Sequence, residues 1–86
     1  VSWAVRIVRD RYVDSVRLMQ VAQTVRDQDG VRACEILSGT PANLELLAVP
    51  ADAGPGDIVI AVDAPAGADR ALDEAERALT AGTGAG

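Results

Sequence analysis

Five successive residues, Gly39-Thr40-Pro41-Ala42-Asn43, have the most specific chemical pattern in the chain. They follow a run with the alternation of a strand and precede one with helical spacing, so they form the turn between the two. Thr40 suits the position just ahead of a helix, where its hydroxyl can accept a hydrogen bond from a free backbone N–H. Pro41 suits the first helical position, where no donor is lost. Gly39 is not required by that arrangement; it would allow a positive φ or a close approach of backbone to another group. Free amides beside a glycine at a helix start also suit an anion. The turn is therefore either a helix cap or a cradle for a carboxylate or phosphate, with Ser38, Gly39, Thr40, Ala42 and Asn43 as its candidates.

Arg6, Arg9 and Arg11 form a second group. They are either a solvated strand end or a clamp for an anion, because guanidinium pairs bidentately with carboxylate and phosphate. Stronger chemistry is hard to build. The chain has no histidine, so an imidazole base and a phosphohistidine are both impossible, and a nucleophilic triad would lack its usual base. Cys34 is the only cysteine. Its place in the middle of an apolar run marks it as a core residue, since a reactive thiolate needs an accessible, electropositive setting. The carboxylates are scattered singly, without the spacing of a metal site. No metal and no cofactor are expected.

The elements that position these residues follow from the apolar periods. Residues 3 to 8 alternate, with Trp3, Val5 and Ile7 on one face and Ala4, Arg6 and Val8 on the other; they form strand one, with Arg6 on its wetter side. A helix runs from its cap at Asp14 to about Asp29, burying Leu18, Val21, Ala22 and Val25 and stopping at Gly30. Residues 31 to 37 are strand two. The short helix after Thr40 carries Leu44, Leu47 and Ala48 and ends at Pro50. Residues 58 to 62 are apolar at every position and form the central strand. The last helix, 68 to 80, turns Leu72, Ala75 and Leu79 inward. The expected fold is a small β-α-β-α-β-α sandwich with a three-stranded sheet and the third strand central. It is a ferredoxin-like variant if that strand runs antiparallel, and a reduced doubly wound sheet if it runs parallel. Residues 1–80 make one domain, and 81–86 are a flexible tail or the start of a linker.

A domain of 86 residues buries only about 60 to 65% of the surface its unfolded chain exposes. The core is thin and almost wholly aliphatic, because phenylalanine is absent and only Trp3 and Tyr12 are large aromatics. The net charge of −5 argues against nucleic-acid and membrane surfaces, which both want a basic patch. A lone cysteine and the lack of a long apolar run point to the cytoplasm.

Three segments, "DSVRLM" at 14–19, "GTPANLELL" at 39–47 and "DIVIAV" at 57–62, resemble in order and spacing the N-terminal domain of FdrA proteins. Those proteins continue into a body similar to the α subunit of succinyl-CoA synthetase and are linked to acyl-CoA-synthetase-like chemistry and carbamoyl transfer. The resemblance implies a non-catalytic accessory or interaction domain of such a system, partnered by another subunit or domain of an FdrA-type protein. Two alternatives stand beside it: a regulatory domain that binds a small anionic metabolite, and a fragment that contributes to an active site shared with another chain. The residues themselves add a further expectation. A three-stranded sheet leaves strands one and two as edges with little to prevent pairing, which favours a homodimer.

Overall fold

The computed structural model describes residues 3–48 and 52–81. Along the chain run β1 (Ala4–Val8), α1 (Ser15–Arg26), β2 (Ala33–Ser38), α2 (Pro41–Leu47), β3 (Ile58–Asp63) and α3 (Ala68–Ala81). The sheet order is β1-β3-β2, and β3 pairs antiparallel with both neighbours. This is the ferredoxin-like alternative; antiparallel pairing on both sides excludes the doubly wound sheet. β3 is central because each of its residues is apolar or, at Asp63, closely packed, and all six are buried.

Both long helices lie on one face. Ile58, Ile60 and Val62 of β3, with Val8 of β1 and Cys34 and Ile36 of β2, meet Leu18, Val21, Ala22 and Val25 of α1 and Leu72, Ala75 and Leu79 of α3. The helical stripes are those the three-and-four spacing predicts. On the opposite face only Leu47, Val59 and Ala61 are buried, with Trp3, Val5, Leu37, Leu44 and Ala53 packed partly against them.

The wetter side assigned to Arg6 requires correction. Arg6 has the same parity as Val8 and so lies on the helix-packed face, where it stays hydrated by reaching the rim and pairing with Asp73 and Glu76 of α3. Trp3, Val5 and Ile7 instead lie on the thinly covered face.

The helix ends differ from the sequence reading in two places. Asp14 caps α1 as expected, its carboxylate accepting from the Val16 N–H at 3.2 Å, but the helix closes at Asp27 and not at Gly30. Gly30 has φ +86° and serves the turn into β2, a left-handed position that glycine adopts without the usual steric cost. α2 ends at Ala48, which takes the left-handed conformation at φ 57°; Pro50 and the tail from 82 to 86 lie outside the described residues. Among the described residues no helix is long and apolar enough to cross a membrane.

Candidate functional site

The turn from Ser38 to Asn43 is closed by its own groups. Thr40 accepts from the Asn43 N–H at 3.2 Å, and the Asn43 amide nitrogen donates back to the Ser38 carbonyl at 2.9 Å. The Gly39 N–H donates to the Asp57 carbonyl at 2.9 Å. Gly39 is demanded by proximity: a Cβ there would stand 2.5 Å from the Gly54 carbonyl oxygen and 2.8 Å from the Ala53 Cβ. Of the two roles open to this glycine, close backbone approach is the one the fold uses. Ala42 is exposed on the first turn of α2.

The centre of this end of the molecule is Asp57, which the residue pattern did not single out. Its carboxylate is buried and accepts from the Gly54 N–H at 3.0 Å, the Asp10 N–H at 2.9 Å and Arg9 at 3.2 Å. Those bonds, the Gly54 amide first and the Asp10 amide next, hold the carboxyl below the usual carboxylate range against the opposing effect of burial. The bond also accompanies an unusual backbone: Asp10 has φ 51°. The available signal was the position of Asp57, an acidic residue between a Gly-Pro-Gly loop and an all-apolar strand.

The candidate arginines divide. Arg9 joins Asp57, and the Arg11 N–H donates to the Gly56 carbonyl at 3.1 Å, so both serve the loop that also receives Gly39. Arg6 lies apart, paired with α3. The three do not converge on one point.

The free edges of the sheet differ. Backbone groups of successive strand residues point to opposite sides, so each residue of a central strand serves one neighbour. The Gly39-to-Asp57 bond sets the phase: odd-numbered residues of β2 face β3, and even-numbered ones face outward. The outward carbonyl of Cys34 accepts from the Arg26 guanidinium at 2.7 Å, and that of Ser38 accepts from Asn43. On β1 the phase is reversed, leaving the N–H and C=O of Val5 and Ile7 outward. No side-chain bond like those of Arg26 and Asn43 runs from α1 or α2 to them.

Thiol and carboxylate chemistry is sparse. Cys34 is wholly buried, and burial pushes its thiol up to about 11, more than the nearby Arg26 charge pulls it down. Among the described residues no three His, Cys, Asp or Glu side chains stand close enough together to hold a metal ion.

Comparison with known proteins corrects the resemblance drawn from the three segments. The family description that matches is the AllF heavy metal-associated domain, over residues 1–86. It replaces the FdrA N-terminal domain as the assignment, and with it goes the reading of an accessory domain in an acyl-CoA-synthetase-like or carbamoyltransferase system. No curated protein and no solved structure matches the chain. The match spans the entire sequence and accords with the ferredoxin-like sheet: this chain belongs to the family of AllF heavy metal-associated domains.

Proposed function

We propose that this domain works as a protein-docking module on a heavy metal-associated scaffold, without metal ligands of its own among the described residues. The family description names a heavy metal, but the donor set does not fit one. A soft metal would call for thiolates or imidazoles at an accessible point. The chain's one thiol is wholly buried in the core between the sheet and the helices, and the carboxylate with the densest set of partners, Asp57, already uses its oxygens to tie the segment after β1 to its own loop.

The observation that carries the docking reading is the β1 edge, whose outward backbone groups stand beside the half-covered side chains of Trp3, Val5 and Ile7. An extended protein segment is the chemistry that matches such an edge, since it supplies main-chain partners and apolar side chains together. The free buried thiol suits a reducing compartment, and we place the domain in the cytoplasm on that ground.

The test is metal retention by the reduced 86-residue chain. After equilibration with Cu(I), Zn(II) or Cd(II) and passage over a weak chelating resin, the protein is expected to keep no stoichiometric metal. One retained equivalent, lost in Cys34→Ser, would overturn the reading.

A further inference from the structure

Resting on the docking reading, we propose that the occupant of the β1 edge is a second copy of this chain. Two β1 strands would pair antiparallel about a two-fold axis at Val5 and join two three-stranded sheets into one.

Three observations converge on this pairing. First, among the described residues the strand itself lacks the usual guards. β1 reads Ala-Val-Arg-Ile-Val, with neither proline nor lysine, and its one charge, Arg6, is drawn onto Asp73 and Glu76 of α3. Edge strands normally avoid pairing through such residues or a covering element. Second, β2 does carry guards: Arg26 and Asn43 take up the outward carbonyls of Cys34 and Ser38 and flank Ile36, the outward residue between them, so β1 is the more receptive of the two edges. That favours a closed pair, because one self-complementary patch per chain gives a two-fold dimer.

Third, the side chains select the register. With Val5 opposite Val5 of the other copy, Trp3 stands across from Ile7 on the thin face and Arg6 across from Ala4 on the helix face. The outward groups of Val5 and Ile7 then meet outward groups of the other strand. Shifting one strand by two residues would put Val5 against Ile7 and Arg6 directly against Arg6, and like charges directly opposite are destabilising. The favoured register also continues the partly covered row of Trp3, Val5 and Leu37 across the junction, adding apolar contact where each copy has least.

Sedimentation equilibrium of the 86-residue chain across a wide concentration range tests the proposal, with two variants. The unmodified protein should reach twice the mass of one chain as concentration rises. Val5→Pro removes an outward N–H while leaving the β3 ladder its donors, and should abolish the dimer with the circular dichroism retained. Because that variant could also disturb the strand, Val5→Cys provides a second readout: mild oxidation should link two copies through residue 5, whereas Ile7→Cys should not link to itself. A persistent monomer mass, an undiminished dimer in folded Val5→Pro, or no disulfide from Val5→Cys would each overturn the proposal. A monomer that also retains no metal removes the second copy and leaves the docking reading in place. One retained equivalent of metal, lost in Cys34→Ser, removes the docking reading whatever the mass.

Discussion

β1 and β2 are both short outer strands paired antiparallel with β3, yet Arg26 and Asn43 reach round the outer side of β2 while Arg6, the only charge on β1, turns inward to α3. Each strand carries one charged residue within its bounds, Arg6 in one and Glu35 in the other. Counting charges would therefore rank the edges as equal. What separates them is where neighbouring elements send their side chains: α1 ends beside β2 and α2 starts from it, so two elements project polar groups onto that edge. β1 has no such neighbour among the described residues, and its carbonyls and amides depend on water or on a partner.

The largest effect is expected on the β2 side. Gly39 lets the 53–54 backbone lie against the end of β2, and this packing places the turn that brings Asn43 to the Ser38 carbonyl. Gly39→Ala would push these segments apart. The expected cost is about 1–3 kcal/mol, as for other overpacked sites, read as a lower midpoint in urea with unchanged slope. Unaltered stability would mean that the close approach does not hold the β2 terminus.

A milder change sharpens the same contrast. Removing both guards in Arg26→Ala with Asn43→Ala should cost about 0.5–1 kcal/mol for each lost hydrogen bond, with exposure keeping Arg26 at the low end. Assembly should respond more visibly than stability. With both edges bare, the chain gains a second pairing surface, and species larger than a dimer should appear in sedimentation velocity, because two different open edges permit head-to-tail growth. A double variant with the same size distribution as the original chain would show that these side chains do not guard β2.

Much of the fold was legible from apolar period alone. The all-apolar run at 58–62 marked the central strand because only burial on both faces tolerates such a segment, and the stripes on α1 and α3 placed their inner residues correctly. Strand direction was not legible, because the short α2 and the loop behind it permit either return path. The face of β1 was misread for a related reason: alternation separates Ala4, Arg6 and Val8 from Trp3, Val5 and Ile7 but does not say which set meets the helices. An arginine suggests water, yet its long stem lets it stand on the packed face and carry its charge to the rim.

The candidate site was legible in part. Thr40 and Pro41 were recognisable as a helix start, and Gly39 as a residue needing an explanation that its own turn did not supply. Asp57 and Arg26 were missed because most of their partners, the Gly54 and Asp10 amides for one and the Cys34 carbonyl for the other, are backbone groups; Arg9, the one side chain on Asp57, lies 48 residues away in sequence. Backbone partners leave no residue signature.

The central claim is that the edge of β1 is receptive and that of β2 is not, and amide hydrogen exchange measured residue by residue tests it most directly. Val5 and Ile7 have outward N–H groups on β1, and Ile36 has one on β2. In the concentrated protein the Val5 and Ile7 amides should be protected, and dilution should release them while the β3 ladder stays slow; the Ile36 amide should respond little to concentration. Rapid exchange of Val5 and Ile7 at every concentration, or protection that grows at Ile36 instead, would contradict the account.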